Sequence, residues 1–154
     1  MREITNGRDL NSALHAGKRF FSMSGPEGRG KFTSLLRMVH HVGGKTTIPE
    51  LKKKDGSLLS LGEQIRSGAM TAGTDSDFGF ILVSVHKAHF DEVTQNNWSD
   101  AARVQYAYEQ LMTNALQEAR ANNLGRRMAI IFNFDNAPFS PDGVQFYPVD
   151  RFGL

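Results

Sequence analysis

Apolar residues recur along this chain with two periods, and the changes between them mark its elements. Phe32, Leu35, Leu36, Val39 and Val42 fall at i, i+3, i+4, i+7 and i+10, one face of an amphipathic helix that Gly43-Gly44 ends. Val104, Tyr108, Leu111, Ala115 and Ala119 trace a longer helix, opened by Ser99-Asp100 and closed by Asn122-Asn123-Leu124-Gly125. Residues 9–17 predict a short helix with Asp9 as N-cap and Gly17 as its stop, and Leu58 to Ser67 another, stopped by Gly68. Phe78 to Val85 (FGFILVSV) is apolar at nearly every position, the signature of a central strand buried on both faces. Met128 to Phe134 is a second strand, and Lys18 to Ser24 a more modest one. Residues 45–57, punctuated by Pro49 and Asp55-Gly56, read as a loop, as do residues 69–77. After NAPFSPDG a short last strand, Val144 to Tyr147, is expected to pair antiparallel with 128–134 as a hairpin.

Helices separate the first three strands, which permits right-handed crossovers and parallel pairing. The expected fold is α/β or α+β, a single domain over residues 1–154 with a small mixed sheet of three to four strands flanked by helices. No repeat divides the chain, and no linker is long enough to.

Composition narrows the chemistry. There is no cysteine, which removes disulfides and thiolate metal sites together. No run of about 18 apolar residues exists, so no membrane partner is expected. MREITNGRDL lacks the apolar core of a signal peptide, and a cytoplasmic location is the expectation. Charge is unevenly spread: residues 1–54 hold eleven Lys/Arg against four acids, residues 55–154 seven against twelve. Such a split suggests an anionic partner for the first third, nucleic acid or nucleotide above all, unless the two parts neutralise each other across the fold.

The stretch SGPEGRGKFTS, between the first strand and the first long amphipathic helix, gives that suggestion a place. Gly25, Gly28, Arg29, Gly30 and Lys31 lie within a GxxxxGK spacing, and here the segment resembles the phosphate-binding loop of P-loop NTPases. The resemblance implies backbone amides converging on a phosphate, a helix N-terminus adding partial positive charge, and Lys31 neutralising the oxygens. It departs from the family at the next residue. Phe32 stands where a Ser or Thr would hold Mg²⁺, and Thr33 is rotated about 100° further round the helix. Asp135, at the end of MAIIFNFD, is the only counterpart of the family's second acidic element. An anion-binding loop without hydrolysis is therefore ranked above a Mg-dependent NTPase, and a turn with no ligand is the commoner explanation of such a loop.

Other groupings are less specific. His86, His89 and Asp91 follow the best strand and are candidates for a metal site or an acid–base pair, with His40 or His41 as a further ligand. His40 and His41 also suit the negative end of their helix. Lys52, Lys53 and Lys54, with Lys45 and Arg37, extend the basic set. Phe20, Phe21 and Phe32 lie beside basic residues and could stack bases, although their spacing fits a core. Trp98 and Tyr106 fall off the apolar stripe of the long helix and are candidates for an interface with a protein partner or a second copy. Three functions result, in order: a non-catalytic module binding nucleic acid or a phosphorylated ligand through its basic first third; an interaction or assembly protein; a degenerate P-loop-like nucleotide binder or small hydrolase. No cofactor is expected.

Overall fold

The computed structural model describes residues 4, 6–23, 31–71, 78–86, 88–89, 106, 110, 113–114, 117–118, 121, 127–133 and 147–149. In chain order these form α1 (Gly7–His15), β1 (Phe20–Met23), α2 (Lys31–His41), β2 (Gly44–Thr47), α3 (Leu61–Thr71), β3 (Phe78–Ser84), β4 (Arg127–Asn133) and β5 (Tyr147–Val149). The strands make one sheet in the order β2-β3-β4-β1-β5, and each of its pairings is parallel. The result is an α/β domain whose small sheet is flanked by helices.

Helix ends follow local chemistry. The N-cap of α1 is Asn6, whose side-chain oxygen accepts from the Asp9 amide at 3.0 Å, so Asp9 sits in the first turn rather than at the cap. The helix closes as a Schellman motif: Lys18 N–H reaches Ala13 O, Gly17 N–H reaches Leu14 O, and Gly17 takes φ +87°. At α3 the sequence Ser60-Leu61-Gly62-Glu63 is a capping box. Glu63 N–H donates to Ser60 Oγ and Ser60 N–H to Glu63 Oε1, each at 3.1 Å. The helix therefore starts at Leu61 instead of Leu58, and it runs through Gly68. A Cβ on Gly68 would stand 2.7 Å from Ile81 Cγ2, so this glycine lets helix and sheet approach and does not stop the helix.

Pleat alternation sorts the core. Phe78, Phe80 and Leu82 of β3, with Ala129 and Ile131 of β4 and Phe21 and Met23 of β1, pack against Leu10 and Leu14 of α1 and Leu35, Met38 and Val39 of α2. Ile81 faces the opposite side, against α3. On α3, Arg66 also meets Glu118 at 3.3 Å, which brings the helical residues around Glu118 beside it. Right-handed crossovers require these opposite faces. The chain passes leftward from β1 through α2 to β2 at the far edge, and then rightward through β3, β4 and β5.

Two expectations about the sheet are corrected. Residues 44–47 are a strand, not part of a loop; Gly44-Lys45-Thr46-Thr47 lacks apolar alternation because it is an edge strand pairing only with Phe78–Ile81. The last strand is Tyr147–Val149, parallel to β1 through Phe21–Met23, and forms no hairpin with β4. Among the described residues the sheet accordingly has five strands and parallel pairings, where a mixed sheet of three to four was expected. Pro148 is compatible with this outer position, since an edge strand tolerates a missing N–H.

Candidate functional site

In a parallel sheet every strand ends on the same edge. The segments leaving β1, β2 and β3 therefore emerge on one edge, those of β2 and β3 side by side and that of β1 beyond β4. This carboxyl edge gathers Lys31 as the first residue of α2, the segment with Lys52, Lys53 and Lys54, and His86 with His89 just past β3. Beside β1 the direction of the chain across the sheet reverses, with α2 on one face and α3 on the other. In open α/β sheets a switch point of this kind is where ligands bind, outside the carboxyl ends of the strands. Gly25, Gly28, Arg29, Gly30, Asp91, Trp98 and Asp135 lie outside the described residues.

The helix that starts beside this switch point differs from the other two. Asp9 in α1 and Glu63 in α3 place a carboxylate in the first turn, as the positive end of a helix favours. The first turn of α2 has no acid and begins on a lysine. No carboxylate of its own first turn therefore offsets the partial positive charge at this helix start.

Next along the edge, residues 51–59 form a built turn. Lys52 bridges antiparallel to Leu58, Leu59 N–H donates to Leu51 O at 2.8 Å, and Gly56 takes φ +88°. Asp55 Oδ1 accepts from the Ser57 hydroxyl at 2.6 Å and its amide at 2.9 Å, and these bonds hold the carboxyl below its usual range. His89 fastens this turn to the end of β3. Its Nε2 donates to Leu59 O at 2.9 Å, and its Nδ1 accepts from His86 N–H at 2.8 Å. The ring is only 2% exposed, and both nitrogens are engaged by backbone. His89 is thus a structural residue, with no lone pair left for a metal or a substrate proton. Among the described residues no three His, Asp or Glu side chains gather as a metal site would need.

His86 is half-buried, its ring 5.8 Å from that of His89. Burial first, then His89 and Lys52, push its imidazole below the ordinary histidine range. The unfolded chain thus binds this proton more readily than the folded one, so the stability His86 contributes is full above its ordinary pKa and is lost as pH falls toward the depressed value. Thermal melts between pH 7.5 and 5 should show a smaller decline for His86→Gln than for wild type. An unchanged decline would count against the shift.

The remaining basic residues go elsewhere. Lys53 pairs with Glu63 at 3.3 Å. That carboxyl is held below its usual range chiefly by the Ser60 amide, with Lys53 contributing. Lys52 and Lys54 are exposed in the turn, and Arg37 on the outer face of α2. At the opposite, amino edge, Arg19 Nη1 donates to Leu14 O at 3.0 Å and Lys18 O at 2.7 Å, capping the end of α1. Its guanidinium lies 5.2 Å from the centre of Phe78, and that of Arg127 lies 5.8 Å from the same ring. His15, His40 and His41 occupy the last turns of α1 and α2. The cationic first third is therefore divided between two edges. At the amino edge Arg19 caps the end of α1; at the carboxyl edge Lys31 begins α2.

Aromatic candidates separate in the same way. Phe21 is fully buried, so it stacks no base, and Phe20 is half-buried. Tyr106 is 65% exposed, but Gln110, Thr113, Asn114, Gln117 and Glu118 share its exposed helical face. Among the described residues no second aromatic joins it there.

The sequence reading missed Gln64. Its amide donates to Ser84 O at 3.0 Å and accepts from Ser84 N–H at 3.1 Å, imitating a strand where β2 no longer reaches. Only the capping box, which fixes the phase of α3, carried a local signal for it. A scan against protein-family models finds no match, and a search of curated proteins finds none.

Proposed function

We propose that this protein is a non-catalytic module that binds the phosphate groups of nucleic acid or of a phosphorylated ligand, at the junction of β1 and α2. The observation that carries the reading is the start of α2 at the carboxyl edge, beside the switch point, on Lys31 and with no acid in its first turn. The glycine-rich spacing from Gly25 to Gly30 immediately before it supplies small residues where backbone amides must approach an anion. Binding without turnover follows from Phe32, which occupies the position where a hydroxyl would be needed to hold Mg²⁺.

The test is fluorescence anisotropy with a labelled oligonucleotide, alongside thermal shift with ATP, GTP and inorganic phosphate. Lys31→Ala should weaken binding about tenfold, a charge-assisted contact's worth. Lys45→Ala, on the far edge strand, should leave it unchanged. With Lys31, Lys52 and Lys54 on the ligand, affinity for a single strand should fall with salt at a log–log slope of about −2, and Lys31→Ala should reduce that slope by about 0.7. Equal binding by wild type and Lys31→Ala, or none at low salt, would remove the reading.

A further inference from the structure

Resting on the phosphate-binding reading above, we infer that the corner formed by Lys52 and His86 is a second anion contact, and that the ligand is a single strand of nucleic acid laid along the carboxyl edge. β3 and β1 are separated by β4 alone, so the corner and the segment that leads into α2 leave one edge of the sheet at separate points. A mononucleotide carries all of its phosphates in one run from a single ribose carbon. A strand presents phosphates repeatedly, and so reaches both cationic points.

The corner is built to stay in place. Residues 51–59 close on themselves through the Lys52–Leu58 bridge and are fastened to the end of β3 by the two hydrogen bonds of His89. The turn that carries the exposed Lys52 and the half-buried His86 are therefore fastened to one another through His89. Among the described residues the groups facing His86 are Lys52 from the turn and His89 from its own segment, while α3 presents the neutral Gln64 to neighbouring Ser84. Lys53, which would otherwise join them, is directed to Glu63.

A contact with His86 couples binding to protons. In the free protein its imidazole is depressed below the ordinary range and is neutral near pH 7.5. A phosphate beside the ring favours the charged form, so binding takes up a proton and tightens as pH falls. The probe is tetrathymidylate without terminal phosphate, whose phosphodiesters keep one charge each between pH 6 and pH 8, so a pH slope reports the protein alone. Wild type should bind about fivefold more tightly at pH 6 than at pH 8. His86→Gln should flatten that profile, and Lys52→Ala should weaken binding about threefold at both pH values. A wild-type pH profile in His86→Gln, or undiminished affinity in Lys52→Ala, overturns the inference. Lys31→Ala is run in parallel: its loss of binding alongside either result leaves the β1–α2 reading standing, and its failure to weaken binding removes both.

Discussion

Replacing Phe80 with alanine is expected to remove about 3–5 kcal/mol of stability, the largest effect of any single substitution proposed for this protein. Phe80 has no exposed surface and lies in β3, the strand with sheet neighbours on both sides along most of its length. Its ring fills the space left by Gly44 across the β2 ladder, where even a Cβ would approach Phe80 Cε2 to 2.7 Å. It also packs against Phe78, with ring centres 5.9 Å apart. Directly opposite on β4 stands Ala129, too small to close the gap. On its sheet sides the cavity would be bounded by Gly44 and Ala129, which carry too little side chain to move in and fill it. Set against a total of about 5–15 kcal/mol for an ordinary domain, such a loss leaves a marginal fold. Urea denaturation should show a lower midpoint with an unchanged slope. Tyr106→Ala, on the polar helical face, should stay within about 0.5 kcal/mol of wild type. A loss under 1 kcal/mol at Phe80 would mean that the interior of the sheet collapses readily, contrary to this packing.

The same strand explains what could be read without coordinates. FGFILVSV and MAIIFNF are continuous apolar runs because β3 and β4 are covered on both faces, and burial writes itself directly into such a run. Gly44-Lys45-Thr46-Thr47 has no such signal; its strand identity comes from the edge of β3, which no local window contains. The direction of β5 is set by its place beside β1 and not beside the strand preceding it in sequence, so a hairpin reading was bound to fail. Gly68 was legible as a glycine but not as a contact with Ile81, since the approach of α3 to β3 is a tertiary fact. Ser60 and Glu63 did carry the true helix start, three residues apart, as a capping box. The site divides along similar lines. Lys31 is visible from the glycines before it. The meeting of the 51–59 turn with His86 is not, because it follows only once β2 and β3 are known to run parallel and to end on one edge.

His89→Ala should lower stability by about 2–4 kcal/mol, and the pattern of that loss separates a structural histidine from a chemical one. The ring satisfies His86 N–H and Leu59 O in a corner where its own exposure is 2%. Removing it leaves a donor and an acceptor without partners, at roughly 1–3 kcal/mol each, and a small cavity besides. Asparagine places an oxygen near the position of Nδ1 and should regain part of the His86 bond, so His89→Asn should fall between alanine and wild type. Residues 51–59 lose their fastening to β3 in the alanine variant. Backbone hydrogen exchange at Leu59, whose amide bonds Leu51 O, should then rise toward that of an isolated turn, while the β3–β4 ladder keeps its protection. Oligonucleotide affinity should drop as well, because Lys52 is no longer held beside His86, and high salt should narrow the gap between variant and wild type. A metal ligand or general base would behave oppositely, leaving the fold intact when removed and abolishing a metal-dependent or catalytic signal. An alanine variant as stable as wild type would transfer His89 to that second class and with it detach the turn from the corner on which the strand contact depends.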